Sequence, residues 1–221
     1  MRLRLVRNRR ARRYVLRLSR DGSARVAIPR GGSPAEAKRF AQQNATWLET
    51  QLLRYATPRL PQLWRVGTEV LFRGEPVRLE LALSGERGIV TFADQVVSVK
   101  DPAADLRNEV ELHLRRLAAR EFPARVCELA SLHQIPFQRI TMRNQRSRWG
   151  SCSRRGTISL NWRLVQTPPF VTDYIILHEL AHLKEMNHSK RFWNEVARLC
   201  PDFNRAEQWL KEHRENLVGH G

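Results

Sequence analysis

The chain has 221 residues, with 39 Lys and Arg against 22 Asp and Glu, and a formal net charge of +17. No apolar run is long enough to span a membrane, the basic N-terminus lacks the apolar segment of a secretory signal, and Cys127, Cys152 and Cys200 form neither a C-x-x-C site nor a complete disulfide framework, which points to a reducing cytoplasm. The charge can attract nucleic acid or another anionic partner, but the arginines are spread along the chain, which favours solvated faces.

Residues 2–7 alternate Arg with Leu or Val, as an edge strand does. Arg9, Arg10, Arg12 and Arg13 follow; such a run can grip phosphates, but more often it keeps an exposed strand edge soluble. Tyr14 to Ser19 and Ala24 to Ile28 alternate again around Asp21-Gly22, a hairpin signal. Ser33-Pro34-Ala35-Glu36 makes a helix start with a capping box, and the helix is predicted to run to about Tyr55, burying Phe40, Trp47, Leu48 and Leu52. Pro58 and Pro61 end it. Short strands are predicted around Glu69–Phe72, Val77–Leu83, Gly88–Phe92 and Val96–Lys100, with turns at Gly74, Gly85 and Gly88.

Asp101-Pro102 opens a long helical stretch with Leu106, Val110, Leu114 and Leu117 on its apolar face. Pro123 is expected to kink or divide it before helix resumes to about His133. A strand follows at Phe137–Arg143. The segment Arg143 to Leu164 reads as paired strands turning at Arg155-Gly156, and a strand edge there can recognise an extended peptide through its own N–H and C=O groups. Trp149 suits the core better than a binding surface, and Cys152 suits a small buried thiol better than a nucleophile.

Pro168-Pro169 opens the stretch the chain is organised around, Val171 to His188. It contains His178-Glu179-Leu180-Ala181-His182, an H-E-x-x-H motif. Residues four apart stack on one helix face, so His178 and His182 can aim two imidazoles at one zinc ion with Glu179 beside them as proton acceptor. The flanking Tyr174, Ile175, Leu177, Leu180, Ala181 and Leu183 predict a helix buried on several sides. His188 is the candidate third ligand. On a continuous helix it would lie about 15 Å further along the axis, so the helix must end, with Asn187 as the expected terminator and Ser189 capping a new helix through Phe192, Trp193, Val196 and Leu199. The histidine spacing equals that of the metzincins, but Glu185 stands where they have glycine and no methionine follows Met186 for their Met-turn. A last helix is expected from Pro201-Asp202 through Trp209, Leu210 and Leu217.

The runs W-G-S-C at Trp149–Cys152, I-S-L-N-W-R-L at Ile158–Leu164 and H-E-L-A-H-L-K-x-x-N-H-S-K-x-F-W at His178–Trp193 resemble the YgjP-like metal-dependent hydrolases, zincin-type proteins related to the SprT-like and minigluzincin peptidases. The resemblance extends to a basic N-terminal hairpin and a helix ending near Trp47. It implies zinc on His178, His182 and His188, a catalytic Glu179, and an α+β zincin-like core in which the H-E-x-x-H helix lies beside an antiparallel sheet. The expected division is an N-terminal β-rich portion over 1–100, with helix 34–55, and a catalytic domain over 101–221.

Hydrolysis of a peptide or protein substrate is the leading expectation, with Arg148 and Trp149 as substrate-binding candidates. Arg143, Arg146, Arg148 and Tyr174 are the candidate oxyanion donors, and the sequence does not choose among them. Asn161 and Asp173 are either supports for the site or ordinary caps and surface residues. Glu195 and Glu207 are the next choices should His188 not be the ligand. Two other functions fit the same residues: metal-dependent hydrolysis of a nucleotide phosphoanhydride, and nucleic-acid association with a structural zinc.

Overall fold

The computed structural model describes residues 3–19, 23–56, 63–82, 88–145 and 147–217. The fold is α+β and divides into two compact units, Met1–Gln62 and Leu63–Gly221.

The first unit holds β1 (Leu3–Arg7), β2 (Val15–Leu18), β3 (Ala24–Ile28), α1 (Pro34–Gln43) and α2 (Ala45–Ala56). β3 is central: β1 runs parallel to it and β2 antiparallel. Alternation along β3 buries Ala24, Val26 and Ile28, and the last two form a small core with Ala37 and Ala41 of α1. The capping box forms as expected: Ser33 Oγ accepts from the Glu36 N–H at 3.1 Å, and Glu36 Oε2 accepts from the Ser33 N–H at 3.0 Å. The single helix expected to Tyr55 is instead two. Asn44 leaves helical geometry (φ −107°, ψ 21°), and its side chain donates to the Phe40 carbonyl at 2.8 Å, competing with the helical ladder. The break resets the helical phase, so Leu48 is buried while Trp47, expected inside, is 45% exposed. The turn at Asp21-Gly22, the prolines at 58 and 61 and Gly85 lie outside the described residues.

The second unit begins with the hairpin β4 (Glu69–Phe72) and β5 (Glu75–Arg78), followed by a small antiparallel sheet of β6 (Glu80–Leu81), β7 (Ile89–Phe92) and β8 (Gln95–Ser98). Gly74 turns the first hairpin at φ 90°, and a Cβ there would lie 2.4 Å from Pro168, so this corner admits only glycine. These strands share one continuous core with everything after them: Val70, Phe72, Leu79, Val90, Phe92 and Val97 pack with Val110, Leu114 and Leu117. The region expected to belong with 1–100 therefore packs within the second unit, because its inward residues have no core of their own.

Helix α3 (Arg107–Leu132) starts later than Asp101-Pro102 suggests. Asp101 Oδ1 instead accepts from the Ala103 N–H at 2.9 Å, and Asp105 Oδ1 from the N–H groups of Trp64 at 2.8 Å and Arg107 at 3.2 Å. Pro123 does not divide the helix. The carbonyl that it deprives of a donor belongs to Ala119, which is exposed and can meet water, while Phe122 and Val126 hold both sides in the core.

β9 (Arg139–Arg143), β10 (Gly150–Cys152) and β11 (Thr157–Asn161) form the sheet beside the motif helix, in the order β10-β11-β9. β10 and β11 are the expected antiparallel pair; β9 adds to β11 in parallel, so the sheet is mixed. A 3-10 helix, Trp162–Gln166, leads into α4 (Pro169–Ala181), then α5 (Lys190–Leu199) and α6 (Phe203–Leu217). Val171, Tyr174, Ile175, Ile176, Leu177 and Leu180 are all buried, so α4 is enclosed over most of its surface. Asp173 ties it to α3 by accepting from Arg125 Nε at 2.7 Å and Nη2 at 2.6 Å.

Candidate metal centre

Helix α4 ends at Ala181, six residues before the expected stop at Asn187. The N–H groups of Leu183 and Lys184 reach back to the carbonyls of Leu180 and Ala181, both at 3.0 Å, tightening the last turn. The chain then reverses, and Ser189 caps α5 by accepting from the Phe192 N–H at 3.4 Å. That reversal brings His188 back to the motif: its Nε2 lies 3.2 Å from His178 Nε2. Ligand atoms of His178, His182 and His188 all lie within 4.8 Å of one another. Phe192, fully buried, braces all three rings, with centroids 4.9, 4.4 and 4.7 Å away respectively.

Hydrogen bonds fix which nitrogen of each motif histidine is free. His182 Nδ1 sits 3.1 Å from the Glu185 carbonyl, which can only accept, so Nδ1 carries the proton and Nε2 keeps its lone pair. The Tyr174 hydroxyl donates to Glu207 Oε1 at 2.9 Å, leaving its oxygen to accept from His178 Nδ1 at 3.4 Å. Burial pushes His178 down to about 4, with His182 and His188 adding to the effect. Burial lowers His182 as well. Neutral imidazoles with inward lone pairs fit a borderline cation such as zinc. Two bare nitrogens 3.2 Å apart repel unless a proton or a cation lies between them.

Glu179 is 5% exposed, and its Oε2 is buried without a partner. Burial pushes its carboxyl up to about 8, while the Arg148 guanidinium pulls the other way. A cation in the histidine cluster would also favour the carboxylate. The carboxylate rests on β10: a Cβ at Gly150 would meet Glu179 Oε1 at 2.6 Å.

These groups open into a cleft of about 1110 Å³. Arg148 and Trp149 both line it, the first exposed and the second half-buried against the core. Tyr174, Glu207 and Lys211 line it as well. Arg143 does not reach it, and Arg146 lies outside the described residues. Asn161 is buried and fixes the rim: its Nδ2 donates to the carbonyls of Gln145 at 2.6 Å and Arg148 at 3.0 Å, and its Oδ1 accepts from the Arg163 N–H at 3.1 Å. Burial, with Glu179 nearby, pushes the Cys152 thiol up to about 11, unlike a nucleophile.

β10 is the edge strand. Trp149 O accepts from the Asn161 N–H at 2.8 Å, and the Ser153 N–H donates to Thr157 O at 3.0 Å. By antiparallel alternation, Gly150 and Cys152 present their N–H and C=O groups outward. Sequence reading did not find the roles of Tyr174, Phe192 and Gly150 around the histidines. Only Gly150, inside a strand pattern, carried a local signal of close approach.

The YgjP-like, metallopeptidase domain family matches residues 12–213. No curated protein matches the chain. Among solved structures it is similar to the metallopeptidase zymogen abylysin of Pyrococcus abyssi, with 26% identity over 42% of this chain and 90% of that one and a TM-score of 0.37. It is also similar to the zymogen jannalysin of Methanocaldococcus jannaschii, with 28% identity over 41% and 91% and a TM-score of 0.32.

Proposed function

Because this chain belongs to the YgjP-like metallopeptidase family, and is thereby a metal-dependent peptidase, we propose that its metal is zinc, held by His178, His182 and His188, with Glu179 as the proton carrier. Convergence of three imidazoles beside a buried, unpartnered carboxylate oxygen supports this most directly. Three protein ligands in an open cleft suit a catalytic zinc, since structural sites take four. When bound, zinc supplies Lewis acidity, acidifying water and polarising a carbonyl.

The residues of the chain do the rest. Glu179 Oε2 takes the proton from the attacking water and returns it to the leaving amine. Tyr174, held by Glu207, keeps His178 in the tautomer that points Nε2 inward. Outward N–H and C=O groups of Gly150 and Cys152 receive the extended peptide. Arg148 and Trp149 border that track as the substrate-binding residues. Among the described candidates, the Tyr174 hydroxyl is engaged by Glu207 and Arg143 does not line the cleft, and we assign Arg148 as the donor for the developing oxyanion. Three free thiols suit a reducing compartment, and we extend the proposal to the cytoplasm. No helix among the described residues is long and apolar enough to cross a membrane.

The test measures metal content and hydrolysis together. The purified chain is expected to carry about one zinc. Glu179→Gln is expected to keep that zinc and to lose peptide hydrolysis by a factor of about 10² or more. Full activity in that variant refutes the assigned role. Cleavage of nucleotides but not of casein or a peptide library transfers the site to phosphoanhydride chemistry.

A further inference from the structure

The first unit carries most of the molecule's charge imbalance. Residues 1–62 contain fifteen Lys and Arg against three Asp and Glu. Strand register concentrates part of that charge. Arg4 of β1 and Arg17 of β2 are both Cα partners of Arg25 of β3. Three arginines therefore stand in one row across all three strands, with neighbours about 4.8 Å apart, and all three are exposed. Residues on the opposite face pack into the core beneath α1.

Such a row works against the sheet, because like charges directly opposite destabilise it. No ion pair relieves it among the described residues. The described carboxylates of the unit are Glu36 and Glu49, and Glu36 is occupied by Tyr14 and Ser33. The connection between β1 and β2 adds Arg9, Arg10, Arg12 and Arg13, all exposed.

We propose that the open face of this sheet, centred on Arg4, Arg25 and Arg17, docks the phosphate backbone of duplex nucleic acid. The neighbouring row on that face is Val6, Ala27 and Val15, so no aromatic ring is there to stack an unpaired base. Contact is with phosphates and independent of sequence, and the duplex is favoured over a single strand by its higher charge density. Among the described residues, no large apolar side chain stands exposed on the face to enter a bilayer.

The full chain is titrated onto a fluorescent mixed-sequence duplex of about two helical turns, by anisotropy, between about 50 and 200 mM salt, the range where phosphate contacts change affinity steeply. Replacing Arg4, Arg17 and Arg25 together by Gln is expected to flatten the slope of log K against log salt by about 2.7, or 0.9 per lost phosphate contact. The same triple replacement by Lys is expected to keep the slope. Arg116→Gln, Arg139→Gln and Arg154→Gln, together removing equal charge from the second unit, are expected to leave it nearly unchanged. The row glutamine variant should also melt no lower than the wild type. The proposal is overturned by wild-type chain that ignores the duplex at the lowest salt, by equal losses in the two glutamine triples, or by binding to phosphatidylserine vesicles in place of duplex. It is overturned equally by a lysine triple as weak as the row glutamine triple, or by a lower melting temperature in the latter, which would assign the row to the fold.

Discussion

Tyr174 and Glu207 act on the candidate metal centre without belonging to the motif. Removing the hydroxyl in Tyr174→Phe leaves the ring packing and deletes the acceptor for His178 Nδ1. Zinc affinity is expected to fall about 10-fold or more, as for other partners of metal-bound histidines. Competition with a chromophoric chelator measures it, and nitrogen chemical shifts of His178 in the metal-free chain should show the inward tautomer losing population. Unchanged affinity and tautomer would remove Tyr174 from this role. At this scale the sequence was legible where chemistry is local. The convergence of His178 and His182 follows from helical spacing, and that of His188 from a chain reversal after the helix. The Tyr174–Glu207 contact spans 33 positions, and nothing in either neighbourhood announces it.

Between α4 and α5, the reversal that returns His188 is pinned by Glu195. Its carboxylate accepts from Arg198 at 3.1 and 2.7 Å and pairs with Lys184 at 2.8 Å, and those bonds, Arg198 foremost, draw its pKa down to about 2. A carboxyl depressed on folding stabilises above its unfolded pKa and loses that contribution as pH falls through its folded value. The loss should therefore develop between about pH 4.3, the unfolded glutamate value, and about 2. Glu195→Gln is expected to cost about 1 kcal/mol at neutral pH and to flatten stability over that window, as read from urea midpoints. An equally steep acid slope in the variant would assign the effect to other carboxylates. Capping signals at Ser33 and Ser189 and the continuous burial of α4 were readable because they are local or periodic. The break at Asn44 and the passage of α3 through Pro123 were not. Each depends on what surrounds the residue: a side chain reaching the Phe40 carbonyl, and an Ala119 carbonyl open to water.

Over the whole chain, two separate cores argue for two folding units. One joins β3 to α1, and the other runs from Val70 to Ala206. Residues 63–221 produced alone are expected to unfold cooperatively, with a transition within a few degrees of the main one of the full chain, and to bind about one zinc. Calorimetry and metal analysis decide this; a fragment without a transition would mean that the first unit completes the second. The expected division near residue 100 follows the change from strands to helices in the sequence. Topology cannot tell which helix a strand will cover, and the inward faces of β4, β7 and β8 belong to α3.

The bare α-carbon of Gly150 acts as the ruler of the cleft. With no side chain interposed, the Glu179 carboxylate abuts the main chain of the edge strand. A peptide paired with that strand, as proposed, would have its scissile bond indexed by backbone spacing. Under the proposed function such an arrangement would demand an extended substrate and tolerate varied residues at the cut, which the products cut from a peptide library would show.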